Sequence, residues 1–321
     1  MSEERELIPA WRDTVVHYIF GSLGNEDVLL SLLNSVLQND GQPLARSVEM
    51  RNPFNPQTFL ADKFTILDVK ATDESGKIFA IEFQATERKA FIGRMVFNCA
   101  KPFCAQIKRG DNYTEIHSVI GIAFVIYDIF PQLAGVHHSF CFRSKANPEF
   151  VLTDLLQLHF LEITDAKADE FDRVNPPLRR WLYFFYLSHR KTEAEMSVLL
   201  EGDPQVEKAY QMYRRFNHDE RMRALADAHE LFILDYNSDI IEARQTGLAE
   251  GRLEGRLEGK LEGELKGQVN AITAVLQNRF HRVPDAVLEE LNQRKDLIAL
   301  QSLVVCAATC ESLADFQDTL K

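Results

Sequence analysis

The sequence predicts an α/β fold with a helical C-terminal extension, and three observations support this prediction. Apolar residues recur at helical spacing between Trp11 and Gly41, and this run ends at the turn-forming residues "NDGQP". Strand-like segments rich in β-branched and aromatic residues follow, with a helical stretch between the second and third of them. Beyond about Leu155 the apolar residues return to a spacing of three and four, which is typical of helices.

The expected elements begin with one or two helices, followed by two strands, a helix and further strands. The expected strands are Phe64–Ala71, Lys77–Phe83, Val119–Tyr127 and His138–Phe142, and the helix between the second and third is near Arg88–Ile107. We expect a core domain at 1–165, a helical extension packed on it at 166–240, a glycine-rich stem or linker at 241–268 and a helical tail at 269–321.

Composition excludes several classes of protein. A chain of 321 residues with 45% hydrophobic residues can bury a sizeable core, and its formal charge of −12 argues against a protein that coats nucleic acid non-specifically. The five cysteines form no CxxC pair, and the start "MSEERE" has no basic and apolar signal segment, so we expect a cytoplasmic protein with reduced thiols. The longest apolar run, Val119–Tyr127, is far shorter than the roughly 20 residues that span a bilayer.

The segment "ILDVKATDESGKIFAIEFQ" places two acids and an amide on a predicted hairpin. The residues "DESG" supply turn chemistry, and a turn centred on Ser75 sets Asp68 opposite Glu82. Strand alternation then puts Gln84 on the same face as Glu82. Like charges facing each other across a strand pair are destabilising, so a compensating group is expected.

A hard divalent cation such as Mg²⁺ would provide that compensation, because it prefers oxygen ligands and keeps waters for chemistry. The alternative is an exposed face of a half-buried hairpin, on which the acids are simply solvated. Spacing alone does not decide between the two interpretations.

The order of motifs resembles the Rpn family of recombination-promoting nucleases, also described as putative transposases, within the PD-(D/E)XK superfamily. The similar pieces are "DKFTILDVKATDESGKIFAIEFQ", "FIGRMVFNCAKPFCAQIKRGDNYTEIHSVIGIAFVIYDIF", "LHFLEI" and "LRRWLYFF", within roughly Asp13–Phe185, and a Gly-Glu tetrapeptide array near the C-terminus. The resemblance implies a mixed sheet flanked by helices. It also implies a DNA endonuclease associated with recombination or mobile elements, dependent on Mg²⁺, with Mn²⁺ or Ca²⁺ as alternatives.

The resemblance also implies roles for individual residues. Asp68 and Glu82 match the metal-binding acids, and Gln84 stands where most of these nucleases have a lysine, so it can orient a water but cannot supply positive charge. Lys70 and Lys63 are candidates for the missing charge, or ordinary strand lysines.

The acid that the first helix contributes in this fold has two candidates. Asp13 is the first and Glu26 is the second. Asp13 has an equally plain interpretation as the cap of the helix that follows it, because aspartate is a favoured N-cap residue.

The most basic part of the chain follows Gln84 directly. Residues 86–110 carry six basic residues and one acid, a local charge of +5: Arg88, Lys89, Arg94, Lys101, Lys108 and Arg109. On a helix Arg94, Lys101 and Lys108 share a face, which we expect to contact DNA phosphates beside the metal site. The alternative is a solvated face with no partner.

In "GLAEGRLEGRLEGKLEGELKG", Gly247–Gly267, glycine recurs every fourth residue. Each glycine costs a helix roughly 0.8–1 kcal/mol relative to alanine, and opposite charges two residues apart do not face each other. The array is therefore expected to need a second chain as an oligomerisation stem, most simply in a dimer, or to be a flexible linker.

Two functions from different classes follow. The first is a metal-dependent DNA endonuclease. The second is a catalytically inactive family member that acts as an oligomeric DNA-binding or partner-binding module.

Overall fold

The computed structural model describes residues 6–54 and 69–320, which divide into two compact units at Phe232/Ile233. The strands described in the first unit form one mixed sheet in the order β1-β2-β3-β4-β6-β5. Their bounds are β1 Val48–Met50, β2 Val69–Asp73, β3 Ile78–Gln84, β4 Val119–Val125, β5 His137–Arg143 and β6 Val151–Glu162. β4 is parallel to both of its neighbours, β3 and β6, whereas the other pairs are antiparallel.

The helices of the first unit lie on both faces of this sheet. They are α1 Asp13–Phe20, α2 Glu26–Asn39, α3 Phe91–Ala105, α4 Pro176–Leu187, α5 Glu193–Leu200 and α6 Pro204–His218. Strand alternation sends Phe79 and Ile81 into the large core with α1, α2 and α4–α6, and sends Ala80 to the opposite face, where it packs near Cys99 of α3. This alternation places Glu82 and Gln84 on the α3 face.

β6 corrects the expectation that the chain becomes helical from about Leu155. It pairs with β4 on one side and β5 on the other, and its C-terminal half is buried. Side-chain polarity does not follow burial in "VLTDLLQLHFLE", because Leu152 is exposed whereas Gln157, His159 and Glu162 are buried. The short β1 was also not predicted.

Gly121 of β4 allows α3 to approach the sheet closely. A Cβ at this position would overlap the Cys99 Sγ and would lie 2.9 Å from Leu158 Cδ2 and 3.1 Å from Met95 Cε. Residues of any larger size would push α3 outward. The glycine therefore helps to set the distance at which α3 side chains meet β3.

We expect Gly121→Ala to destabilise the chain by about 1–3 kcal/mol, the usual cost of overpacking a core. Gly93→Ala is the matched control, because Gly93 is exposed on α3, nothing lies within 4 Å of a Cβ there, and alanine is the better helix former. Urea unfolding of both variants measures the effect. A Gly121→Ala variant as stable as the Gly93→Ala variant would contradict the packing argument.

The remaining helices are α7 Glu220–Phe280, α8 Asp285–Gln293, α9 Leu297–Thr309 and α10 Leu313–Asp318. In the second unit, Ile272 and Leu276 of α7 form a separate small core with side chains of α8–α10. Among the described helices, none has an apolar stretch long enough to cross a membrane.

The glycine array is helical in the structure, since α7 runs through it without a break. Leu253, Leu257 and Leu261 are 61%, 59% and 50% exposed. At the end of the array two ion pairs do form at i, i+4 spacing, Lys260–Glu264 at 3.8 Å and Lys266–Glu262 at 2.6 Å, which the repeat pattern alone did not indicate. Both pairs are exposed, so each contributes only about 0.3–0.5 kcal/mol.

Candidate active site at the end of β3

Glu82 and Gln84 lie at the C-terminal end of β3 and face α3. They are 2% and 8% exposed. In the parallel ladder Glu82 is paired with Ala123, and Gln84 with Val125, so both lie inside the sheet and not at its edge. The interpretation of Glu82 as a solvated acid on an exposed hairpin face is therefore wrong.

α3 provides a donor for each carboxylate oxygen of Glu82. The Arg94 Nη2 donates to Oε2 at 3.1 Å, and the Asn98 Nδ2 donates to Oε1. Arg94 and Asn98 are four residues apart, so they project from the same side of the helix. The buried charge that was expected to need a metal ion is thus already compensated by the protein.

The carboxamide of Gln84 is held at both ends. Its Oε1 accepts from Arg94 Nη2 at 2.5 Å, and its Nε2 donates to the Thr86 carbonyl oxygen at 2.7 Å. Because a guanidinium can only donate, these contacts define which end of the amide is the oxygen. The amide oxygen of Gln84 therefore lies on the side of Glu82, where it could orient a water molecule.

Asp68 and Lys63 lie outside the described residues. The register of β2 with β3 pairs Val69 with Ile81, and this is the register that a turn centred on Ser75 produces. Lys70 is exposed on β2 and, within the described part of the chain, its side chain makes no hydrogen bond or ion pair with Glu82 or Gln84.

Asp13 is brought into the electrostatic field of this site. It is the first residue of α1, half-buried, while Arg12 occupies the N-cap position, so the interpretation of Asp13 as the cap is wrong. Burial raises the pKa of Asp13 to about 6, against the opposing charges of Arg12 and Arg94 and with a contribution from Glu82. Glu26 starts α2 and, among the described contacts, has no bond to Glu82 or Gln84.

The raised pKa of Asp13 predicts a loss of stability with rising pH. Since the folded-state pKa of about 6 exceeds the unfolded value of 3.8, the contribution of Asp13 to stability is most favourable below pH 4 and becomes less favourable as the pH rises to about 6. Without divalent metal, Asp13→Asn is expected to be more stable than the wild type at pH 8, by on the order of 2–3 kcal/mol, and equally stable near pH 4.

Asp27→Asn is the control for that measurement. Burial opposes the shift, but hydrogen bonds from Lys208 and the Val28 amide lower the pKa of Asp27, so its replacement is expected to destabilise the protein at pH 8. Melting temperatures of the wild type and both variants at pH 4 and pH 8 measure these changes in stability. A destabilised Asp13→Asn at pH 8 would show that the carboxylate is held by a favourable contact.

The basic segment is divided between the site and the surface. Arg88 and Lys89 precede α3, Lys101 is on it and Lys108 follows it, and all four side chains belong to exposed residues. Arg94 does not share their exposed face, because it is turned towards Glu82 and its side chain is 28% exposed. Phosphate contacts thus remain a prediction for the four exposed residues.

Two parts of the site were missed from the sequence. Asn98 follows Arg94 by four residues, and this spacing could have indicated that both side chains project from the same side of α3. Glu162, which is level with Gln84 across β4, binds the Ile129 and Phe130 amides at 2.8 and 3.1 Å and His138 Nε2 at 2.9 Å. It holds the chain that follows β4, and only the pairing of β6 with β4 places it there.

A mixed sheet flanked by helices, with an E-x-Q pair at the end of a central strand, defines an α/β protein of the PD-(D/E)XK type. The chain belongs to the PD-(D/E)XK nuclease family transposases, whose sequence model matches residues 11–243. No curated protein and no solved structure shows a significant match to the chain. Family membership supports a nuclease associated with mobile elements.

Proposed function

We propose that this chain is a Mg²⁺-dependent DNA endonuclease that hydrolyses phosphodiester bonds and acts in recombination or in the movement of mobile elements. The observation that carries the proposal is the buried Glu82 beside Gln84, next to the most basic segment of an acidic chain. Buried, specifically oriented carboxylates cost stability, and they are common where chemistry requires them.

The oxygen atoms of the candidate site are of the chemical type that binds a hard divalent cation. Glu82 and Gln84 offer carboxylate and amide oxygens, which are the ligands that Mg²⁺ prefers. Within residues 6–54 and 69–320, no cluster of three or more His, Cys, Asp or Glu side chains could hold a metal ion. A further acid is therefore required, and Asp68 is the candidate.

In this proposal Asp68 and Glu82 hold the ion and Gln84 orients the attacking water. A bound Mg²⁺ supplies Lewis-acid polarisation of the scissile phosphate and lowers the pKa of that water. Asp13, the first residue of α1, is the candidate for the acid that the first helix contributes. Asn98 orients the Glu82 carboxylate.

DNA would be held by the exposed basic residues around α3. Phosphate contacts carry no sequence information, so they suit a nuclease that positions DNA without reading it. We expect Lys101→Ala to weaken binding to all DNA sequences and to lessen the slope of log affinity against log salt by about 0.7–0.9. Binding would be measured between low and moderate salt in Ca²⁺.

Lys77→Ala is a control for that experiment, because Lys77 lies at the β2–β3 turn, outside the basic segment. It is expected to leave the slope unchanged. An unchanged slope for Lys101→Ala would place the DNA elsewhere.

The endonuclease proposal is tested with supercoiled plasmid and Mg²⁺, using the purified full chain beside Asp68→Ala and Glu82→Ala. Nicking by the wild type alone would support it, and equal nicking by all three proteins would indicate contamination. One observation favours the inactive binding module instead, namely that both oxygens of Glu82 are engaged by α3. DNA binding without nicking in Mg²⁺, Mn²⁺ or Ca²⁺ would select that second function.

A further inference from the structure

Arg94 bridges the two side chains that define the candidate site. A single nitrogen, Nη2, donates to Glu82 Oε2 at 3.1 Å and to Gln84 Oε1 at 2.5 Å. These are an anionic and a neutral oxygen, two residues apart on one face of β3. The guanidinium therefore lies where these two oxygens converge.

A hard cation at this site would be held by Glu82 and would carry the water that Gln84 orients, so it would need the same two oxygens. Gln84 has no second oxygen, and the other oxygen of Glu82 is engaged by Asn98. A guanidinium within hydrogen-bonding distance and a divalent ion at the same oxygens would repel each other strongly in a buried site. Arg94 and a metal ion therefore exclude each other at this position.

Arg94 is neither fully enclosed nor fully hydrogen-bonded at its present position. Its side chain is 28% exposed, and it extends from α3, the helix whose neighbouring residues form the basic surface. Within the described chain its Nε is buried without a hydrogen-bond partner, so the present position does not satisfy all of its donors. The guanidinium also lies 5.2 Å from the centroid of the Phe91 ring, on the first turn of α3.

Gln84 leaves the site without the positive charge that a lysine would supply. A guanidinium is always protonated and binds phosphate oxygens with two parallel hydrogen bonds. Arg94 is basic and contacts Gln84. It is thus close enough to provide the charge that the amide cannot.

We propose that Arg94 is a catalytic residue with two successive positions. Before metal binds, Arg94 neutralises Glu82. When a metal ion replaces it there, Arg94 binds the scissile phosphate and stabilises the charge that develops on it. This inference rests on the proposed nuclease function. In this inference Arg94 contacts the phosphate that reacts, whereas the sequence predicted only a general contact with DNA phosphates. No covalent step involves the arginine.

Metal binding in the absence of DNA tests whether Arg94 and a metal ion compete for Glu82. Mn²⁺ binding to the full chain is measured by calorimetry for the wild type, Arg94→Met and Arg109→Met, which removes the same charge from an exposed position after α3. Arg94→Met is expected to bind Mn²⁺ about tenfold more tightly or better, because the competing ion pair is gone. Arg109→Met is expected to match the wild type, and Arg94→Gln replaces Arg94→Met if that variant does not fold.

Cleavage at saturating Mn²⁺ tests whether Arg94 acts on the scissile phosphate. Arg94→Met is expected to cut plasmid about 100-fold more slowly or worse, because a donor to the transition state is lost while the metal is bound. Unchanged or weaker Mn²⁺ binding by Arg94→Met would overturn the inference, as would cleavage at the wild-type rate. A wild type that binds Mn²⁺ but cuts no DNA would overturn the proposed function instead, and the metal measurement would still be interpretable.

Discussion

Asp68→Asn is expected to abolish plasmid cleavage by the full chain and to leave its melting temperature in metal-free buffer unchanged or higher. The expected loss is on the order of 1,000-fold or more, because the proposed role of Asp68 is that of a metal ligand. We expect stability to be retained because, if Asp68 lies opposite Glu82 as the hairpin register predicts, its replacement lowers the repulsion between the two carboxylates. Arg94 and Asn98 still compensate the carboxylate of Glu82.

Glu82→Gln provides the contrasting variant. It is also expected to abolish cleavage, but it leaves the Arg94 guanidinium without its anionic partner, beside a buried amide. Breaking such a pair costs about 3–5 kcal/mol when both groups are fully buried, and less here because Arg94 is 28% exposed. Nicking assays and thermal unfolding of both variants make the comparison. A large loss of melting temperature in Asp68→Asn would instead show that Asp68 is a structural hydrogen-bonding residue.

The full chain is expected to be a dimer at micromolar concentration, and a chain ending at Ile240 is expected to be a monomer. The six glycines of the array cost its helix roughly 5–6 kcal/mol relative to alanine, and its two exposed ion pairs return about 1 kcal/mol at most. We propose that a second copy of the helix supplies the difference, because the exposed row of Leu253, Leu257 and Leu261 can be buried between chains.

The charges of the array favour a second copy over an unrelated partner. Arg252, Arg256 and Lys260 form a basic row and Glu250, Glu254 and Glu258 form an acidic row, and two such helices can interleave rows of opposite sign. Two nuclease units brought together in this way could cut both strands of a duplex.

Light scattering of both chains measures the oligomeric state directly. A full-length variant with Leu253, Leu257 and Leu261 replaced by serine separates the stem from the rest of the C-terminal region, and it is expected to be monomeric. Two monomeric chains, or two equally dimeric ones, would show that the array is not the dimer contact and would favour the flexible linker.

Local sequence patterns were sufficient for the parts of the protein that depend on neighbouring residues. Turn residues at "DESG" and alternating strands predicted the β2–β3 register, and helical spacing predicted α3 to within a few residues. Order and spacing of short motifs identified the family, and the E-x-Q pair indicated the candidate site. These features are local because a hairpin or a helix is determined by residues a few positions apart.

Tertiary structure decided what Glu82 contacts. Charge counting placed Arg94 among the surface residues, whereas the close approach of α3 over Gly121 turns it, with Asn98, towards the buried carboxylate. β6 escaped prediction because its buried half includes Gln157, His159 and Glu162, so polarity does not follow burial along that strand. The fold class and the groups of the candidate site therefore follow from local sequence patterns. The charges that meet there depend on how closely α3 packs on the sheet, and that distance is set by side chains far apart in the chain.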